Sequence, residues 1–179
     1  MNDSPSIPLD AETRVAERPA DHQAELRLWL RLFTCKTLIE GEVRRRLRED
    51  FDVTLPRFDV MAQLDRRPNG MTLGELSGCM MVSNGNVTGL VERLVVQGLL
   101  DRKPSPTDRR VQIVSLTTKG RRTFRAMARA NADWIAELFA GLTSQDTDAL
   151  MRLLGKAKSS ARRAIDRRNG YRANQERRS

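Results

Sequence analysis

Between residues 71 and 116 the spacing of apolar side chains changes from helical to alternating. Leu73, Leu76 and Met80 recur at three- and four-residue steps, which predicts a short helix over 73–79 with one apolar face. Thr72 precedes it and Glu75 follows three residues on, the pair that makes a capping box. Met81-Val82 reads as a turn, and Ser83 is placed to cap a second helix. Val87, Leu90, Val91, Leu94 and Val95 form that helix's buried face. Its leading, outward face carries Asn84, Gly85, Asn86 and Thr88, all small or amide-bearing. Gly98 ends it, at a position where positive φ is favoured. Residues 99–103 and 111–116 then read as two strands, with Val111, Ile113 and Leu116 as β-formers. They are joined by PSPTDRR, a turn-rich stretch flanked by Arg102, Lys103, Arg109 and Arg110.

The flanking segments are longer and helical. Over 21–48, Leu26, Trp29, Leu30, Phe33, Thr37, Val43 and Leu47 fall near one stripe, interrupted by Gly41 at a cost of about 1 kcal/mol against Ala. Thr54 and Pro56 open a helix over 55–67, with Phe58, Val60, Met61 and Leu64 inward and Pro68-Asn69-Gly70 as its end. Thr117 caps a helix over 118–140 that carries Phe124, Met127, Trp134, Ile135 and Leu138. A last helix starts at Gln145 and passes Ile165, with Leu150, Leu153, Leu154, Ala157 and Ala161 repeating along it. Residues 1–19, with three prolines among polar residues, read as a flexible lead, and 169–179 as a basic flexible tail.

The fold class is therefore mainly α with a small β-hairpin wing: a winged helix-turn-helix unit over 54–116, flanked by helices over 20–50 and 118–168. In this pattern the second helix lies in a DNA major groove, and the hairpin lies along the backbone or in the minor groove. The formal charge of +9 and pI near 10.6 suit an anionic partner. Much of the excess lies in the tail, however, where seven arginines follow Ser160, so the motif and not the charge carries the assignment. The outer helices carry apolar stripes too extensive for the winged unit to cover. Packing two copies together covers them, and a two-fold dimer is the commonest closed solution.

The run MVSNGNVTGLVERL, the Gly98-Leu99-Leu100 exit, Asp108-Arg109-Arg110 in the wing and Leu116-Thr117-Thr118-Lys119-Gly120 after it together resemble the MarR family of transcriptional regulators. The last two match the family's Asp-x-Arg wing motif and its Leu-Thr-x-x-Gly helix start, and the order of elements matches over residues 20–165. The resemblance implies a homodimer built from the N- and C-terminal helices (20–50 and 118–168), bound to a pseudo-palindromic double-stranded operator. It implies that Arg110 enters the minor groove with Asp108 buttressing it. Lys103 and Arg109 would contact phosphates, which position the protein without specifying sequence.

Asn84 and Asn86, with Thr88, are the candidate base readers, because Asn bonds adenine bidentately and a Thr methyl meets a thymine methyl. Thr72, Ser83 and Gly85 complete the expected DNA-facing set. Gly89 stands where some family members place a long basic residue, a departure that bears on which bases are read. The resemblance also implies a small effector, an aromatic acid or its acyl-CoA thioester, in a cleft between the dimer helices and the winged unit. Trp29, Phe33, Phe58, Met61 and Trp134 are its candidate lining, with Arg27 and Arg31 as carboxylate partners. The function so implied is that of a homodimeric repressor released by this ligand.

Other chemistries find little support. The two cysteines, Cys35 and Cys79, give no disulfide framework or metal cluster. A redox-sensing repressor acting through Cys35 is one alternative, although a reactive thiolate needs a nearby donor or cation; Cys79 reads as core. His22 is the single histidine, so no metal, cofactor or nucleophile–base pair is expected, and an enzyme is not. No apolar run approaches the ~18 residues of a membrane span, and no signal-peptide core precedes the first helix, so the expectation is a cytoplasmic protein. The alternative of a different class is a winged helix used for protein–protein contact, which would be indifferent to loss of Lys103 and Arg110.

Overall fold

The computed structural model describes residues 23–80, 84–108 and 110–176. The expected lead over 1–19, His22, the Met81-Val82 turn, the Ser83 cap, Arg109 and the last three residues lie outside them. Among the described residues nine elements follow in order: α1 (Gln23–Phe51), α2 (Leu55–Asp65), β1 (Met71–Thr72), α3 (Leu73–Met80), α4 (Asn84–Val96), β2 (Leu100–Pro104), β3 (Gln112–Leu116), α5 (Thr118–Leu138) and α6 (Ser144–Glu176).

The chain divides into two units, Met1–Ile135 and Ala136–Ser179. The first has one core, to which α1 contributes Val43 and Leu47, α2 Val60, Met61 and Leu64, and α4 Val87, Val91 and Leu94. The helix boundaries follow local chemistry. α1 runs past the expected Arg48 to Phe51, and Asp52 ends it in the left-handed region at φ 52°, a conformation a short polar side chain tolerates. α2 stops at Asp65 instead of Arg67, because Pro68 disfavours helical backbone at the residue before it. Thr54 is its N-cap without a side-chain hydrogen bond, and Pro56 lies in its first turn.

The wing is a sheet of three strands, not two. Its order is β1-β3-β2, all antiparallel, with Met71 opposite Val114 and Leu100 opposite Leu116. The extra strand, Met71–Thr72, leads straight into α3, so the helix-turn-helix is anchored to the wing through backbone pairing. Val114 and Leu116 are buried in the core while Ile113 before them and Ser115 between them are half-buried, the alternation of a one-sided sheet. Leu99 and Val111, expected in strands, instead close the loops at either end. The Leu99 N–H bonds to the Leu94 carbonyl, and the Val111 N–H to the Asp108 carbonyl.

The second unit is dominated by α6, which starts one residue before the expected Gln145 and continues past Arg168 to Glu176. Thr143 and Asp146 open it as a second capping box. The Asp146 carboxylate accepts from the Thr143 N–H at 3.0 Å, and Thr143 Oγ1 accepts from the Asp146 N–H at 3.1 Å. The Thr143 hydroxyl, which donates to the same carboxylate at 2.6 Å, and then the Thr143 N–H hold the Asp146 carboxyl below its ordinary range.

Candidate nucleic-acid interface

The expected entry to the helix-turn-helix forms as read. Thr72 donates its N–H to the Glu75 carboxylate at 2.8 Å, and Thr72 Oγ1 accepts from the Glu75 N–H at 3.2 Å. The backbone and hydroxyl of Thr72 hold the Glu75 carboxyl below the usual carboxylate range. The Thr72 hydroxyl is thereby committed to the cap. α3 buries Leu76 and Ser77 with Leu73 and Met80 half-buried. That stripe turns Cys79 outward, so this thiol, expected in the core, is exposed. Cys35 is exposed as well.

Along α4 the two faces separate as the pattern requires. Val87, Val91 and Leu94 are buried, Leu90 and Val95 partly so, and Gly85, Asn86 and Gly89 stand in solvent. Thr88 is half-buried. A Cβ on Gly85 or Gly89 would meet nothing within 4 Å, so the outward face of the helix is smooth between Asn86 and Arg93. Arg93 lies beyond Thr88, where the outward face expected from the sequence stopped. It shares a cleft of about 400 Å³ with Pro56, Met80, Asn86 and Leu90. At the helix end, Gly98 takes φ 69°. Its N–H bonds to the Val95 carbonyl while that of Leu99 bonds to Leu94, the paired closure of a Schellman motif.

The hairpin tip is organised by Asp108. Its carboxylate accepts from the Arg110 N–H at 2.9 Å, and its carbonyl accepts from the Val111 N–H. Ser105, buried at the base of the tip, donates its N–H to the Val111 carbonyl, and its Oγ lies 3.0 Å from that of Thr107. Asp108 thus shapes the turn that projects Arg110, which is the physical content of the Asp-x-Arg spacing. Lys103 sits on β2 opposite Ile113 and pairs with Asp101 at 2.9 Å, in solvent. The Asp101 carboxylate raises the ammonium's pKa, and the ammonium lowers that of Asp101.

This constellation — a capped helix, a second helix with a smooth polar outer face, and a stiffened basic hairpin — matches the MarR family model over residues 51–111. The chain is 33% identical over 124 residues, 66% of its own length and 70% of the relative's, to the transcriptional activatory protein BadR of Rhodopseudomonas palustris. It is 35% identical to a MarR family transcriptional regulator from Silicibacter pomeroyi, superposing with a TM-score of 0.65 over 80% of this chain and 99% of that one. The chain belongs to the MarR family. A mutant MarR from Escherichia coli, solved in complex with operator DNA, superposes with a TM-score of 0.66 at 25% identity, over 78% of this chain and 99% of that one. This MarR-family protein is a DNA-binding transcriptional regulator with a winged helix fold; members of the family are regulators, not enzymes.

The residues expected to line an effector cleft do not come together in the single chain. Trp29 and Phe33 are 60% and 52% exposed on α1 and contact each other, with ring centroids 6.1 Å apart. Arg27 and Arg31 are exposed on the same helix. Met61 is wholly buried, and Trp134 is 8% exposed, packed against Phe51 with the Arg46 guanidinium 6.0 Å from its ring centroid. Phe58 lies against Phe124, centroids 5.5 Å apart, which joins α2 to α5. On those two helices Arg57 Nε and Asn131 Oδ1 are buried without a hydrogen-bond partner. Neither residue was singled out in the sequence, because burial of one polar atom leaves no periodic signal. Among the described residues no group of three His, Cys, Asp or Glu is placed to hold a metal ion. No helix among them is long and apolar enough to cross a membrane.

Proposed function

We propose that two copies of this chain assemble through their first and last helices, and that the dimer represses transcription by occupying a pseudo-palindromic operator. What carries the dimer is apolar surface that each unit leaves in solvent. On α1 it runs through Leu26, Trp29 and Phe33; on α6 it runs through Leu150, Leu153, Leu154 and Ile165. Stripes of this size on a monomer's surface mark an interface, and a second copy offers the same stripes in return. Two recognition helices related by a two-fold axis read half-sites about one helical turn, roughly 10 bp, apart. Asn86 on the outer face of α4 supplies base contact, and Arg110 with Lys103 supplies minor-groove and phosphate contact from the wing.

Release is by a small aromatic acid or its acyl-CoA thioester, which shifts the population toward a spacing of the two winged units that no longer matches the groove. Arg57 Nε and Asn131 Oδ1 support this reading. A buried polar atom without a partner costs free energy that a ligand's carboxylate or carbonyl and hydroxyl would recover. A second reading, activation from the same operator, is favoured by the relative BadR, which is named an activatory protein.

The test combines solution mass with a footprint on the DNA flanking the protein's own gene. The proposal expects a dimer and a single two-fold-symmetric footprint, both lost in Leu153→Glu. A monomer giving the same footprint, or a Leu153→Glu variant that dimerises and binds normally, overturns it. A panel of aromatic acids and their coenzyme A esters that leaves operator affinity unchanged overturns the effector. A reporter that falls when the gene is deleted assigns activation in place of repression.

A further inference from the structure

The last helix carries a second feature, opposite its apolar stripe. Arg152, Lys156, Arg163 and Arg167 recur at four- and seven-residue steps, so they fall within one narrow sector of α6. Leu150, Leu154, Ala157 and Ala161 fall on the far side, with Leu153 at the border between the two. Gly155, Ser159 and Ser160 line the same surface as Arg152, Lys156 and Arg163. These small residues leave the long cationic side chains standing clear of the helix. From Arg152 to Arg168 the sequence holds seven cations against the single carboxylate of Asp166. Among the described residues no ion pair forms within this stretch, in contrast to α1, where Lys36, Arg44, Arg45 and Arg46 all bond to Glu40, Glu42 or Glu49.

We infer that this ridge is a second, sequence-independent DNA-binding surface, which holds duplex DNA by its phosphates outside the operator contact. An arginine or lysine without an intramolecular carboxylate keeps its full gain from a phosphate, whereas the α1 cations would first have to break their pairs. The four ridge cations span about 22 Å of helix, a length over which duplex DNA presents on the order of 13 phosphates. A membrane surface suits the ridge less well. A helix that lies in a lipid interface inserts its apolar face, and here that face is the one assigned to the dimer. The stretch also lacks the aromatic residues that usually anchor such helices. The identity of the partner rests on the DNA-binding reading of the winged unit; the presence of an unpaired basic ridge does not.

The test is the salt dependence of binding to random-sequence duplex, for the full chain and for a variant carrying R152Q, K156Q, R163Q and R167Q. Glutamine retains helix propensity, and solution mass confirms that the variant keeps the wild-type assembly. Each phosphate neutralised adds about 0.9 to the slope of log affinity against log salt. The inference expects the slope to flatten by up to about 3–4 and random-DNA affinity to fall at least tenfold at low salt, with the operator footprint in place. A variant carrying R152K, R163K and R167K should bind as wild type, because phosphate attraction needs charge and not a guanidinium. Unchanged random-DNA affinity and slope in the glutamine variant overturn the inference. So does a loss confined to phosphatidylserine vesicles, which would reassign the ridge to a membrane. If neither protein footprints an operator while the glutamine variant still loses random-DNA affinity, the operator reading fails and the ridge stands.

Discussion

A Cβ built on Gly120 would stand 2.0 Å from the carbonyl oxygen of Leu99. That approach is what the Leu-Thr-x-x-Gly sequence serves. Leu99 is the residue that leaves the recognition helix, and Gly120 lies in the first turn of α5. Thr117 between them donates its hydroxyl to the Gly98 carbonyl at 2.8 Å and accepts from the Gly120 N–H at 2.9 Å, while Lys119 reaches the Gln97 carbonyl at 3.0 Å. The end of α4 and the start of the next long helix are one clamped junction. Any tilt of α5 is therefore transmitted to α4.

Gly120→Ala should consequently be among the costliest single-methyl changes in the chain. Backbone, not a flexible side chain, blocks the new atom, so the junction must open. We expect a loss of about 2–3 kcal/mol, read as a Tm lower by roughly 5–10 °C. Gly89→Ala, where a Cβ meets nothing within 4 Å, is the control and should leave Tm the same or slightly higher.

In the wing, Asp108→Ala removes the acceptor of the Arg110 N–H without touching the arginine itself. Operator affinity should fall about as far as in Arg110→Ala, by roughly tenfold. The two differ in salt dependence. Arg110→Ala should reduce the salt slope by about 1, whereas Asp108→Ala, which keeps the cation, should lose affinity with a smaller slope change. Equal slope losses would mean that Asp108 does not act through the shape of the tip.

If Lys103 contacts DNA as proposed, Asp101, which pairs with it at 2.9 Å, competes with DNA for it. Their exposed pair contributes little to folding, so Asp101→Asn should leave Tm within about 1 °C of wild type. It should nevertheless raise DNA affinity a few-fold at low salt, because Lys103 no longer has to leave a carboxylate. A double variant with Lys103→Ala should abolish the gain, and persistence of the gain would assign it elsewhere.

Asp59 sets a pH dependence of known sign. Burial, and then the nearby Glu40 carboxylate, raise its pKa above the ordinary value of 3.8, with Arg44 opposing. Below the unfolded value the group is neutral in both states and has no effect. As pH climbs through the folded value the folded chain must carry a desolvated charge, so stability declines and stays lower at neutral pH. Asp59→Asn should therefore raise Tm at pH 7. The difference should vanish near pH 3.

Much of the winged unit was legible because its signals are local. The Thr72–Glu75 box and the positive φ at Gly98 each follow from one or two residues, and both form as read. The strand at Met71–Thr72 was not legible, since two residues show no alternation and their pairing with β3 is set some forty positions away. The Thr143–Asp146 box carried the same spacing signal as Thr72–Glu75 and was open to reading. The effector residues were least legible. Helical spacing marks Trp29, Phe33, Met61 and Trp134 alike as apolar, but only tertiary packing separates the two left in solvent from the two in the core.

The central claim is that this chain reads DNA as a two-fold dimer through α4 and the wing. Selection of bound sites from a pool of random-sequence duplex, with excess competitor present, tests it most directly. The account predicts enrichment of one inverted repeat with half-site centres about 10 bp apart, lost when Asn86 and Arg110 are both replaced by alanine. Enrichment of no motif, or of a motif without two-fold symmetry that the double variant still selects, would contradict it.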